Sequence, residues 1–182
     1  MTSTRPTLQA ARRFGSAALG IALSLALVSP AAAAPERIPF AGVFYPCSGT
    51  SGEEFVGGNV LHFRNAENYN LWVTGNPLLD GPEVNVVNGD INLKTGTGVA
   101  HPRTTVYPVA VDGTWEIQIT VAVAESGLTA HGVGHGTGAL QGMTIFFSNP
   151  GDIAIDPADN PCSDLPFAVV IEGEILAPLG TP

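Results

Sequence analysis

The chain has 182 residues, 22 of them glycine and 15 proline, and a formal net charge of −9 from 7 basic and 16 acidic side chains. That length suits one domain with a core of its own, and so much glycine and proline excludes an architecture of long helices. The scarcity of cations argues against nucleic acid or an anionic membrane surface as a partner, since both are held by clustered basic residues.

Read from the start, Arg5, Arg12 and Arg13 precede an apolar stretch from Phe14 to Val28, followed by Ser29-Pro30 and Ala31-Ala32-Ala33-Ala34. A charged start, a short apolar stretch and a run of small residues predict a secretory signal peptide over residues 1–34, cut near Ala33 or Ala34. The apolar stretch falls short of the roughly 20 residues that span a bilayer. It ends without a cysteine, which argues against a lipoprotein, and Arg12-Arg13 leaves general secretion and twin-arginine export both open. The expected location is secreted, extracytoplasmic, with no membrane association after cleavage. The absence of an Asn-x-Ser/Thr sequon agrees with a bacterial source. Residues 35–182 then form one acidic domain, in which only Arg37, Arg64, Lys94 and Arg103 stand against all 16 acidic residues.

Within that domain the hydrophobic period is two, not 3.6. Residues 38–44 open it. Residues 59–64 and 69–74 are predicted to pair around Asn65-Ala66-Glu67-Asn68, and residues 83–87 and 91–94 flank Asn88-Gly89, a hairpin dipeptide. Residues 103–111 and 115–123 flank Asp112-Gly113, which predicts a two-residue type I′ turn placing Val106 opposite Ile119. Pro108 requires an edge or a bulge in the first of these strands. In the second, Trp115, Ile117, Ile119, Val121 and Val123 alternate with Glu116, Gln118, Thr120 and Ala122, the pattern of a strand with one buried face. Residues 129–147 are glycine-rich and end in Met143-Thr144-Ile145-Phe146-Phe147. Residues 148–166 read as a proline-rich loop, and residues 167–176 as the last strand. Eight or nine short strands in one unit predict an all-β fold, an antiparallel β-barrel of about eight strands, with a β-sandwich as the alternative.

Cys47 and Cys162 are the only cysteines. An even, minimal count in an exported protein predicts one structural disulfide. Closing a loop of over a hundred residues contributes about 4–5 kcal/mol on the chain-entropy account. The bridge would tie the first strand to the last, as in a sheet that closes on itself.

The stretch Gly134-His135-Gly136-Thr137-Gly138-Ala139-Leu140-Gln141-Gly142-Met143 carries a Gly-Thr-Gly-x-Leu-x-Gly-aliphatic pattern. It resembles the allene oxide cyclase and dirigent-like β-barrels and secreted bacterial proteins of that architecture. The resemblance implies an eight-stranded antiparallel barrel with a central cavity. It covers about ten residues and carries over no catalytic residue. The proline-rich cysteine loop that follows departs from those families.

Chemistry is sparse. No Gly-x-Ser-x-Gly elbow, phosphate-binding loop or Cys-x-x-Cys pair occurs, and no cofactor is indicated. His131-Gly-Val-Gly-His135 is the one arrangement that invites a metal reading. On an extended strand its imidazoles lie about 13 Å apart, too far for one ion. A compact glycine turn would let them converge, with an Asp or Glu as third ligand. With no third ligand in view, His131 and His135 are weak candidates and no metal is assigned. Glu53-Glu54 reads as a solvated pair rather than half of a glycosidase site. Among the aromatics, Trp115 and Phe146 are expected in the core, while Trp72 and Tyr107 are the candidate ligand-binding residues. The favoured function is a non-enzymatic binder of a small apolar or carbohydrate ligand in the barrel interior. The alternatives are an extracellular enzyme of cyclase or hydrolase type using the same cavity, or an envelope protein whose partner is another protein.

Overall fold

The computed structural model describes residues 34–179; the predicted leader lies outside the described residues but for Ala34. Nine antiparallel strands follow in chain order: β1 (Glu36–Gly49), β2 (Glu53–Gly57), β3 (Val60–Val73), β4 (Gly81–Asn92), β5 (Thr97–Val106), β6 (Trp115–Ala124), β7 (Gly127–Gly136), β8 (Thr144–Ala154) and β9 (Phe167–Ala177). Each pairs with its neighbour from β2 to β9, β9 pairs with β1, and β1 pairs with β3. Eight strands therefore close into a barrel, with β2 as an extra strand outside the ring.

Closure is the work of β1. Its first half pairs with β9, from Glu36 opposite Ala177 to Phe44 opposite Val169. Its second half pairs with β3, from Val43 opposite Val73 to Gly49 opposite Asn68. Where the partners change, a Cβ on Gly42 would run into the backbone of Val73 and Thr74, so this crossing needs glycine. The register on β3 slips between Pro46 and Ser48. The extra residue in that bulge is Cys47, bonded to Cys162 with the two Cα atoms 4.9 Å apart. The Ser163 hydroxyl donates to the Pro46 carbonyl at 2.6 Å alongside it. The bridge thus joins the bulge in β1 to the segment that leads into β9.

Several expected turns are absent, each for a local reason. Asn88-Gly89 is no hairpin; β4 runs straight through it, and Gly89 is needed because the Phe63 ring and Ala100 occupy the space of a side chain. Asn65-Ala66-Glu67-Asn68 is no turn either, since β3 is continuous. The register shift between Phe63 and Ala66, with Asn65 at φ 54°, makes it a bulge. The Asp112-Gly113 turn is also overturned: Val106 pairs with Trp115 rather than facing Ile119, and residues 107–114 form a longer connection. Gly113 takes no positive φ there; it is small because the Thr137 carbonyl lies against it. β8 runs on to Ala154, so part of the expected 148–166 loop is strand.

The inward alternation of β6 follows its sequence, with Trp115 and Ile117 buried and Glu116 and Gln118 exposed. Trp115, Leu79, Leu140, Met143, Ile145, Ile171 and Ile175 belong to the main core. They fill one end of the barrel, under the β3–β4 connection and a 3-10 turn at Gly138–Leu140. The Trp115 indole donates to the Leu78 carbonyl at 2.7 Å, and the Ala139 amide to the Asp112 carbonyl at 2.7 Å. The Asp80 carboxylate accepts from the Thr74 amide and hydroxyl and from the Gly75 amide. These bonds hold the plug over the barrel end. In the Gly-Thr-Gly stretch, Gly134 and Gly136 face inward against Ile117 and Leu140, and Gly138 has φ +57° where the chain turns. A smaller apolar cluster, Ala66, Val87 and Ala100 with Phe63 and Val121, lies further along the barrel.

Candidate functional site

Between these two apolar clusters the inward face is polar. Cross-strand registers set Asn70 opposite Glu83 and Asn85 opposite Thr104. All four side chains are buried, as is Asn149 on β8. Because β4 side chains alternate, Gly81, Glu83, Asn85, Val87 and Gly89 point inward together, while Val84 and Val86 face outward.

The Glu83 carboxylate is held from two sides: the Trp72 indole N–H donates to Oε2, and the Asn85 amide nitrogen donates to Oε1 at 2.8 Å. Burial pushes this carboxyl above its ordinary 4.5, outweighing the opposing hydrogen bonds from Asn85, Trp72 and Asn70. The Phe147 ring meets Trp72 edge-on, with centroids 5.4 Å apart at 84°. Asn85 Oδ1, Thr104 Oγ1 and Asn149 Oδ1 are buried and find no hydrogen-bond partner among the described residues.

Glu83, Trp72, Asn85, Asn149 and Phe147 border a cavity of about 130 Å³, whose remaining walls are largely apolar: Phe44, Pro102, Ile119, Val121, Leu128, Ala130 and Val169. Leu128 and Asp152 also border it and are themselves exposed, so the cavity reaches the surface at the end away from the plug. Asp152 owes its place to the register shift between Ser148 and Gly151, which reverses the alternation of β8 and sets Asp152 opposite Val169.

Of the candidate ligand-binding residues, Trp72 borders this cavity and is 1 % exposed; Tyr107 lies beyond β5, 45 % exposed, and does not line it. His131 and His135 both point outward on β7, opposite Thr120 and Glu116. His135 lies 3.3 Å from the Glu116 carboxylate. Among the described residues, no three His, Cys, Asp or Glu side chains gather as metal ligands. Glu53 and Glu54 are exposed on β2, opposite Arg64 and Phe63. Trp115 is in the core as expected, but Phe146 faces outward and its neighbour Phe147 takes the interior place.

Outside the barrel, Phe55 stacks on His62 with ring centroids 4.7 Å apart, and Asp90 accepts from His62 at 2.7 Å and from Arg64 at 2.9 Å. Those two partners hold the Asp90 carboxyl below its usual range. This cluster is solvated and ties β2, β3 and β4 together.

Glu83, Asn85, Asn70, Thr104, Asn149 and Asp152 went unread in the sequence. Comparison with protein-family models, with curated proteins and with solved structures returns no match.

Proposed function

We propose that the chain is an extracytoplasmic protein that binds a small, mainly apolar molecule inside its barrel. One observation carries the reading: a cavity of about 130 Å³, mostly apolar in lining and open at one barrel end, with a few polar groups at its inner surface. Binding sites have this composition, with apolar walls supplying affinity and a few fixed polar groups supplying orientation. An apolar cavity near 150 Å³ takes up a molecule the size of benzene. The walls offer a sugar few polar partners, which favours an apolar ligand over a carbohydrate. A partly hollow interior also favours a ligand-binding role over that of an envelope protein whose business is with other proteins.

Two-dimensional NMR with benzyl alcohol as the probe tests the reading. The expected result is saturable shifts at the Trp72 indole N–H, lost in Ala130→Phe, whose ring would fill the cavity. Shifts that leave Trp72 unmoved, or that survive in a folded Ala130→Phe, would overturn it.

The enzymatic alternative has one feature in its favour. A carboxyl raised by burial and facing a cavity is a common form of catalytic acid or base. On that reading Glu83→Gln would keep binding and lose turnover.

A further inference from the structure

Glu83 is an anomaly for a β-barrel interior. Glutamate is almost never fully buried without a cationic partner, and a buried carboxylate lacking one is costly. The four basic residues of the domain are elsewhere. Arg37 pairs with Glu174, Arg64 with Asp90, and Lys94 and Arg103 are exposed. Among the described residues, no lysine, arginine or histidine borders the cavity.

What does border it accepts hydrogen bonds. The Asn85 amide nitrogen is committed to Glu83, and the Asn149 amide nitrogen to the Gly151 carbonyl at 3.4 Å. Their two amide oxygens are buried and find no partner among the described residues. Glu83 accepts from Trp72, Asn85 and Asn70, and a carboxylate with about four lone-pair sites has room for a further donor. A second carboxyl group, Asp152, stands at the mouth. Such a lining repels carboxylates and phosphates and leaves an acceptor-only ligand unpaired. The aromatic side chains of Phe44, Trp72 and Phe147 also border the space, and aromatic faces attract cations.

Resting on the reading of the interior as a binding cavity, we infer that its ligand is a small organic cation, a primary ammonium on an apolar body. The three N–H donors of an ammonium match three acceptors: the Glu83 carboxylate, Asn85 Oδ1 and Asn149 Oδ1. The ammonium supplies the counter-charge that the protein withholds from Glu83, and the apolar body occupies the wall of Ile119, Val121, Ala130 and Val169. A calcium ion is a poorer fit, since it asks for six to eight oxygens and this wall is mostly hydrocarbon. The cavity limits the ligand to about six to nine heavy atoms, by analogy with benzene in a cavity of similar volume.

Calorimetry and NMR on the full domain, near neutral pH, with benzylamine, benzyl alcohol, benzoate and calcium chloride as separate probes decide the matter. Benzylamine is expected to bind roughly tenfold or more tighter than benzyl alcohol, and benzoate to show no saturable binding, as charge complementarity requires. Glu83→Gln should weaken benzylamine by roughly tenfold or more and benzyl alcohol distinctly less, because the lost charge is felt by the cation alone; equal loss of both overturns the inference. Benzyl alcohol or benzoate binding as tightly as benzylamine overturns the cation inference and leaves the cavity reading intact. Calcium displacing benzylamine overturns it in favour of a metal. If none of the organic probes binds, both readings fall together. Should Glu83→Gln fail to fold, Asp152→Asn serves, with benzylamine weakened more than benzyl alcohol; equal loss of both overturns the inference.

Discussion

Glu83→Gln should change how stability depends on pH, and the direction follows from where the carboxyl sits. In the unfolded chain Glu83 is solvated and titrates near its ordinary 4.5; in the barrel burial raises it. Below both values the group is protonated in both states and contributes no slope. Between them the folded protein holds a proton that the unfolded chain has released, so stability falls as pH rises through the folded value. One proton of difference gives a slope of at most about 1.4 kcal/mol per pH unit. Above the folded value the loss is complete and the curve is flat again. Glutamine cannot titrate. Its carbonyl can still accept from Trp72, and its amide nitrogen can donate to Asn85 Oδ1 if that side chain turns over, an oxygen now buried without a partner. The variant should therefore gain on the wild type steadily as pH rises above 4.5, by an amount set by that slope and the width of the window. Urea melts of both proteins from about pH 4 to about pH 8 measure the difference, in which the other titrating groups cancel to first order. A difference flat across that range would refute the claim that Glu83 is buried without a counter-charge.

Three further outcomes are expected. Trp115→Ala should cost about 3–5 kcal/mol, the range for truncating a buried aromatic, because Trp115 is fully buried and its indole holds the plug through Leu78; Glu116→Ala, next to it but exposed, should stay within about 0.5 kcal/mol in the same urea melts. Replacing Cys47 and Cys162 by serine should lower stability by about 2–5 kcal/mol with the β signal in circular dichroism unchanged at room temperature, since the barrel closes through the β1–β9 and β1–β3 ladders without it. Gly113→Ala should cost about 1–3 kcal/mol, as overpacking does, because its new Cβ would meet the Thr137 carbonyl; a thermal melt that leaves it as stable as wild type would show that the 107–114 connection yields.

What was legible in the sequence was whatever alternates cleanly or is covalent. β6 shows its inward face outright, since Trp115, Ile117 and Ile119 alternate with Glu116, Gln118 and Thr120. The pairing of Cys47 with Cys162 followed from their being the only two cysteines. Glycine misled where it serves packing rather than turning. Asn88-Gly89 and Asp112-Gly113 both read as hairpin turns, yet each glycine is small because Phe63 in one case and Thr137 in the other occupies its side-chain space. Such long-range contacts leave no local mark. The site was hidden by a different ambiguity. On β4 one face carries Gly81, Glu83, Asn85, Val87 and Gly89, and the other Pro82, Val84, Val86, Asn88 and Asp90. The two are about equally apolar, so binary patterning cannot choose between them; only the pairing with Asn70 on β3 and Thr104 on β5 does.

That same ambiguity bears on why the polar belt is where it is. A barrel of eight strands is just wide enough for side chains to fill it or to hold one small ligand. Leucine or valine at positions 85, 104 and 149 would fill it without the three orphaned oxygens, each of which costs about 1–3 kcal/mol when buried without a partner. The fold carries this burden in its middle, while its plugged end is packed with Trp115, Leu79, Leu140 and Ile145 at full burial and its long loop is closed by a disulfide. Stability is concentrated where the chain crosses and closes, and it is forgone at the cavity surface. Strained or under-satisfied groups gather at functional sites because the rest of the structure over-determines them. Here they gather around one carboxyl, on the inner wall of an interior space bordered by both Trp72 and Glu83. That coincidence is what the proposed binding role of the cavity would lead one to expect.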